Sequence, residues 1–93
     1  MTVNVLFFTT VGCHLCEQAE ALLDAVLPHA NGLRAQSGLA LLQLQKVEVS
    51  ESVALMERYG SRIPVLLLEE NAQELAWPFE QTRLFGFLSG FTG

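Results

Sequence analysis

The 93-residue chain has little of what marks several broad classes of protein. Five Lys or Arg stand against ten Asp or Glu, so a net charge of −5 leaves no basic stripe for nucleic acid. Apolar runs such as "VLFF" and "PVLLL" are far shorter than the roughly 20 residues that cross a bilayer. The opening "MTVNVLFFTT" lacks the basic segment and the cleavage site of a secretory signal. We therefore expect a cytoplasmic protein with no nucleic-acid or membrane partner.

Cysteine is scarce as well, since Cys13 and Cys16 are the only two. A chain of this length with 51% hydrophobic and 16% charged residues is suited to one ordered domain over residues 1–93. Disulfide staples are not needed for such a core. In a reducing compartment, a close cysteine pair is more typical of catalysis, redox sensing or metal binding than of a structural link.

The first half of the chain predicts a strand, a helix and a strand. Residues 2–9 form a β-prone apolar run, and the apolar residues after the cysteines recur at helical spacing until Pro28, where we expect the helix to end. The Gly-rich stretch 31–38 predicts a connection. A second strand over 39–49 follows, in which the apolar alternation changes phase between Leu44 and Val47. A bulge and burial of both strand faces are each compatible with that change.

The second half predicts a short helix, two strands and a last helix. Ser50 has the character of an N-cap, and Gly60 stands where the short helix would end. The later elements are a strand at 62–70 with Pro64 near its start, a turn, a strand at 74–77 and a helix at 80–88. The order β-α-β-α-β-β-α predicts an α/β fold: a mixed four-stranded sheet flanked by helices, with a parallel first pair and a final antiparallel hairpin.

The position of the cysteines suggests their chemistry. In the first turn of a helix, two residues three apart lie on one side, and the unpaired N–H groups and the helix dipole stabilise a thiolate. Cysteines in C-x-x-C motifs at helix starts have pKa values of about 3.5 to 7.5, against roughly 8.5 for a free thiol. Cys13, nearer the loop, is the expected nucleophile, and Cys16, one turn in, the expected resolving thiol.

The motif "CHLC" after the first strand, "YGSRIPVL" before the third and the β-β-α ending together resemble a glutaredoxin-like member of the thioredoxin superfamily. The resemblance spans essentially the whole chain. It implies a cis Ile63–Pro64 bond beside the cysteines, with the backbone of Ile63 free to pair with an extended substrate. It further implies a thiol–disulfide oxidoreductase that acts on protein disulfides or glutathione mixed disulfides, requires no cofactor and has glutathione as a candidate co-substrate.

Most of the residues that hold glutathione in dithiol glutaredoxins have no counterpart here, and Arg62 is the remaining candidate for binding a carboxylate. Its alternative is a solvated surface arginine. His14, when protonated, would stabilise the Cys13 thiolate, and it is equally compatible with a solvent-facing residue that has little effect.

Uses of the cysteine pair other than disulfide exchange are metal binding, a non-catalytic role and an inert structural role. A zinc site needs about four ligands, and His29 is too far along the chain to complete one, so we expect no metal site in one chain. Two chains bridging an iron–sulfur cluster through Cys13, or a non-catalytic redox sensor or protein-binding module, are the alternatives to exchange. A third hypothesis is an inactive scaffold in which the two cysteines are buried and inert. We expect a monomer; the sequence does not identify the substrate, the reductant or the redox potential.

Overall fold

The computed structural model describes residues 2–90 of the chain. Within them, strands and helices alternate in the predicted order β-α-β-α-β-β-α, which is confirmed, with one 3₁₀ turn at Val49–Glu51. No helix in this part of the chain has both the length and the apolar character to span a bilayer. The elements are β1 Thr2–Thr9, α1 His14–Gln36, β2 Leu41–Glu48, α2 Val53–Tyr59, β3 Val65–Leu68, β4 Gln73–Ala76 and α3 Gln81–Ser89.

The four strands form one mixed sheet in the order β2-β1-β3-β4. Strand β1 pairs in parallel with β2 and antiparallel with β3, and β3 and β4 form the antiparallel hairpin. The mixed sheet predicted from the sequence is therefore confirmed. Because α1 connects two parallel strands, its first residues lie at the end of the sheet where β1 finishes.

Strand β1 is central and buries side chains on both faces. Val5 and Phe7 belong to the larger core, which lies under α1 and α3, whereas Phe8 belongs to a second cluster under α2. This alternation follows from the period of two in a strand. The consecutive apolar residues of β1 thus reflect helices on both sides of the sheet.

Strand β2 resolves the change of phase seen in the sequence. Its register with β1 runs unbroken from Thr2–Leu41 to Thr9–Glu48, so there is no bulge. Leu42 and Leu44 contact the larger core, and Val47 contacts the second cluster. Burial on both faces is therefore the correct explanation.

Helix α1 does not end at Pro28, so that prediction is wrong. The helix continues to Gln36, and the stretch predicted as a connection is helical as far as that residue. An interior proline costs about 3 kcal/mol through its missing N–H and its ring clash. Burial beyond it offsets this cost: Ala30 and Arg34 are fully buried and continue the stripe formed by Val26 and the buried residues before it.

Arg34 joins three parts of the molecule. Its Nε donates to the carbonyl of Ala40 at 2.6 Å, and its Nη1 donates to the carbonyl of Leu88 at 3.2 Å. Both terminal nitrogens also donate to the carboxylate of Glu70, at 2.8 and 3.1 Å. The C-terminal end of α1 is therefore fastened to the start of β2, to α3 and to the turn after β3.

Helix α2 begins two residues later than predicted. Ser52 caps it by accepting the N–H of Leu55 at 3.2 Å, whereas Ser50 lies in the 3₁₀ turn. Tyr59 is its buried residue and stacks on Phe8, with ring centroids 4.0 Å apart. The helix ends at the predicted Gly60, whose backbone is right-handed, so this glycine is not a left-handed cap.

Candidate active site

The turn between β1 and α1 places Cys13 at the helix start. Gly12 has φ of +73°, a backbone conformation that L side chains rarely adopt, so glycine is required at this point of the turn. Cys13 is then extended, with φ −89° and ψ 108°, as an N-cap residue should be. Its Sγ accepts the N–H of Cys16 at 3.1 Å. A cysteine sulfur thus occupies the place of the usual capping oxygen.

Cys13 and Cys16 form a disulfide bond, with Cα atoms 5.2 Å apart. Cys16 is 3% exposed within the larger core, whereas Cys13 is half-buried. The exposure of the two sulfur-bearing residues therefore follows the order expected for an attacking and a resolving thiol.

The segment leading into β3 lies at the same end of the sheet. Phe8 pairs with Val65, so the residues after Phe8 run alongside those before Val65. The Ile63–Pro64 peptide bond is cis, and Ile63 packs against the same core as Cys13 and Cys16. The N–H of Ile63 donates to the carbonyl of Tyr59 at 3.0 Å, so this donor is not free to pair with a substrate, contrary to the expectation from the resemblance.

Arg62 is engaged by neighbouring side chains. Its guanidinium lies 5.1 Å from the centroid of the Tyr59 ring and 3.4 Å from Oε1 of Glu74. The other oxygen of Glu74 accepts the Tyr59 hydroxyl at 2.8 Å. Burial, followed by the hydrogen bond and negative charge of Glu74, raises the pKa of Tyr59 above its ordinary value. The side chain of Arg62 remains 44% exposed, so an incoming carboxylate would compete with Glu74 for it.

A groove of about 420 Å³ opens beside the disulfide and carries mostly negative charge. Its uncharged lining consists of residues 9–12 and both cysteines. Lys46 is its one basic residue and is paired with Glu20. Arg62, Ile63 and Pro64 do not line it. Its acidic residues are Glu17, Glu20, Glu48 and Glu51.

Glu48 was not singled out from the sequence, and both oxygens of its carboxylate accept hydrogen bonds at this groove. Oε1 accepts the N–H of Val11 at 2.9 Å, and Oε2 accepts the N–H and hydroxyl of Ser50 at 3.0 and 2.7 Å. Hydrogen bonds from the Thr10 hydroxyl, then from Ser50 and Val11, hold the pKa of this carboxyl below its ordinary value. The available signal was a carboxylate at the end of the predicted second strand, which runs parallel to the strand that leads into the C-x-x-C loop.

His14 is exposed at the first position of α1. His29 also lies in α1, beyond Pro28. Across residues 2–90, no three His, Cys, Asp or Glu are grouped so as to hold a metal ion. A larger groove of about 760 Å³ lies between β4 and α3 and contains neither cysteine, so it is separate from the redox pair.

A mixed sheet in this order, with a C-x-x-C pair at the start of the first helix, defines a thioredoxin-like protein with a redox-type cysteine pair. The family model named glutaredoxin-like domain (DUF836) matches residues 4–89, and the chain belongs to that family. The X-ray structure of Northeast Structural Genomics target protein XcR50 from X. campestris is 30% identical, with a TM-score of 0.68. The match covers 92% of this chain and 96% of that one. No curated protein matches the chain.

Proposed function

We propose that the protein is a thiol–disulfide oxidoreductase in which Cys13 attacks and Cys16 resolves. The observation that carries the proposal is the capping geometry, in which the Cys13 sulfur accepts a backbone N–H at the positive end of α1. In the reduced protein, that N–H and the helix dipole stabilise a thiolate on Cys13. His14, next in the chain, would add a positive charge beside Cys13 when it is protonated.

The exchange proceeds in two displacements. The Cys13 thiolate attacks one sulfur of a substrate disulfide, forms a mixed disulfide and expels the other substrate sulfur as a thiolate. The Cys16 thiolate then attacks the Cys13 sulfur and expels the second substrate sulfur, which leaves the Cys13–Cys16 disulfide seen here. The protein loses two electrons and the substrate gains them. An external dithiol or two thiols reverse the change at the protein.

The charge of the groove favours a protein disulfide, above all one beside basic residues, over glutathione as substrate. Four glutamates and one lysine line the groove, and the lysine is already paired with Glu20. Glutathione carries two carboxylates and one ammonium group, so its net charge matches the sign of the groove. Arg62, the candidate carboxylate ligand, is held by Glu74 instead. Ile63 remains a proposed contact for the substrate backbone, through its carbonyl and the exposed part of its side chain, whereas Pro64 is fully buried and would act only by holding Ile63 in place.

Both thiols come from one helical turn of one chain, so the reaction needs neither a second copy nor a cofactor. We place the protein in the cytoplasm, where external thiols keep such a pair reduced. A net charge of −5 fits a protein substrate and not a nucleic acid.

The decisive experiment is the alkylation rate of each cysteine against pH, on reduced, metal-free protein, with the sites assigned by mass spectrometry. We expect Cys13 to react first, with an apparent pKa well below the roughly 8.5 of a free thiol. If neither thiol reacts below alkaline pH, the nucleophile assignment fails. Iron and a visible chromophore in anaerobically purified protein would instead support the cluster-binding alternative.

Substrate charge is tested with three small disulfides: cationic cystamine, neutral hydroxyethyl disulfide and anionic oxidised glutathione. With the reduced protein, we measure the rate with cystamine divided by the rate with oxidised glutathione, and we compare this ratio with the same ratio for a small free thiol. We expect the ratio for the protein to fall toward the free-thiol value as salt rises, because salt screens the charge of the groove. A ratio that does not change with salt would refute the role of the groove charge.

A further inference from the structure

Glu48 is placed to hold the loop that delivers Cys13. It is the last residue of β2 and lies opposite Thr9, the last residue of β1. The chain leaves the sheet after Thr9 and must turn through residues 10–12 to reach the helix start. Glu48 meets this turn, since its Oε1 accepts the N–H of Val11 at 2.9 Å.

The loop has little else to fix it. The Val11 side chain is 84% exposed, so it does not anchor the loop by packing. Gly12 allows the turn but has no side chain, and an added Cβ would meet nothing within 4 Å. The hydrogen bonds that Glu48 accepts from the Thr10 hydroxyl and from the N–H of Val11 therefore hold the loop before Cys13.

The carboxylate is itself held in place. Its second oxygen, Oε2, accepts the N–H of Ser50 at 3.0 Å and the Ser50 hydroxyl at 2.7 Å. These bonds come from the 3₁₀ turn that follows β2. One carboxylate thus links the turn after β2 to the loop before α1, and both of its oxygens are used.

We infer that Glu48 is the positioning residue of the redox pair: by holding the N–H of Val11, it keeps Cys13 in the capping conformation in which its sulfur accepts the N–H of Cys16. This inference rests on the proposed function in that it assigns Glu48 to the chemistry of Cys13. Glu48 itself does not contact a reacting sulfur atom.

The charge of Glu48 acts in the opposite direction to its hydrogen bonds. A carboxylate beside Cys13 disfavours a second negative charge and so raises the pKa of the thiol, whereas the capping geometry lowers it. Substitution by alanine removes both effects at once. The comparison must therefore be made between two neutral residues, with the other charged groups around the cysteines unchanged: His14, Glu17, Glu20, Lys46 and Glu51.

The experiment compares Glu48→Ala with Glu48→Gln. Both are neutral, but glutamine keeps an oxygen that can accept the N–H of Val11. On reduced protein below the pKa of Cys13, we expect Cys13 in Glu48→Ala to be alkylated roughly three- to tenfold more slowly than in Glu48→Gln, the effect of one net hydrogen bond. The pH profile of the alanine variant should shift to higher pH relative to that of the glutamine variant.

Glu51 provides the matched control. It lines the same groove, and among residues 2–90 it makes no side-chain hydrogen bond. Glu51→Ala and Glu51→Gln should alkylate at equal rates, within about twofold. Equal rates for the two Glu48 variants would overturn the inference. So would a Glu51 pair that differs as much as the Glu48 pair, because the effect would then belong to side-chain size and not to the bond.

A second measurement needs no variant and covers the case in which Glu48→Ala does not fold. In the wild-type protein, the amide proton of Val11 should be protected from exchange. Its chemical shift should change with pH as Glu48 titrates, with a pKa below the ordinary value of a glutamate. An unprotected amide whose shift does not change would overturn the inference. These outcomes are distinct from failure of the proposed function, which would appear as an ordinary pKa for Cys13 in the wild-type protein. The ratio of Cys13 alkylation rates between the two Glu48 variants could still be measured in that case.

Discussion

Replacing Arg34 by methionine should cost a large part of the stability of the fold. Methionine keeps the apolar stem but removes a fully buried guanidinium that makes four hydrogen bonds. The buried carbonyl of Leu88 and the half-buried carbonyl of Ala40 then lose this donor, and an unsatisfied buried acceptor costs about 1–3 kcal/mol. Glu70 is 31% exposed and recovers solvation by turning outward. Together these effects predict a loss of about 3–5 kcal/mol, as when one partner of a buried ion pair is removed.

Urea unfolding of the oxidised protein, followed by circular dichroism, measures this loss. In a thermal scan of the same protein, we expect the melting temperature to fall by about 12 °C or more, since a domain of this size loses roughly 4–8 °C per kcal/mol. Glu70→Ala should cost less, because the guanidinium keeps its two carbonyls and gains access to water. Arg83→Met, an exposed arginine on α3, is the control and should change stability by about 0.5 kcal/mol or less. A loss under 1 kcal/mol for Arg34→Met would refute the reasoning.

Three further predictions follow from local features. Because burial and Glu74 raise the pKa of Tyr59, the absorbance of its phenolate should appear only above the ordinary tyrosine range. The contribution of the neutral Tyr59 to the free energy of unfolding should be fully present below pH 10 and should be lost as the pH rises through the folded pKa. An ordinary tyrosine titration would contradict this. Ser52→Ala should cost about 1 kcal/mol through loss of the α2 cap, measured by urea unfolding, and a smaller loss than for Ser50→Ala would place the cap at Ser50. Pro28→Ala restores a helix N–H at an exposed position and should stabilise the protein by about 1–3 kcal/mol; a lower unfolding midpoint would show that the ring contributes packing.

The fold could be predicted because its strongest signals are local. The apolar run of β1, the C-x-x-C motif at a helix start and the Ile-Pro before β3 each specify a position in the same architecture. Pro28 misled because a local rule was applied where distant contacts decide: the buried Arg34 meets residues 6, 36 and 54 positions away in the chain. The periodicity of the sequence carries no information about contacts between residues so far apart in the chain.

The site was only partly accessible from the sequence. The expected order of exposure for the two cysteines follows from helix geometry and required no tertiary information. Glu48 lies 35 residues after Cys13 and reaches the loop only because β1 and β2 pair in a register that ends at Thr9 and Glu48. The pairing of Arg62 with Glu74 likewise depends on the hairpin of β3 and β4.

The length of α1 separates two properties of the protein. Its 23 residues at about 1.5 Å each put Arg34 about 30 Å from Cys13, in a molecule whose longest extent is 39 Å. That distance is several times the screening length of roughly 8 Å at physiological salt, and side chains so far apart act additively. Substitutions around Arg34 should therefore change the stability of the fold, and those around Cys13 the reactivity of its thiol, with little effect of either on the other. The stability of this fold can therefore be changed at one end of α1 without changing the cysteine pair at the other.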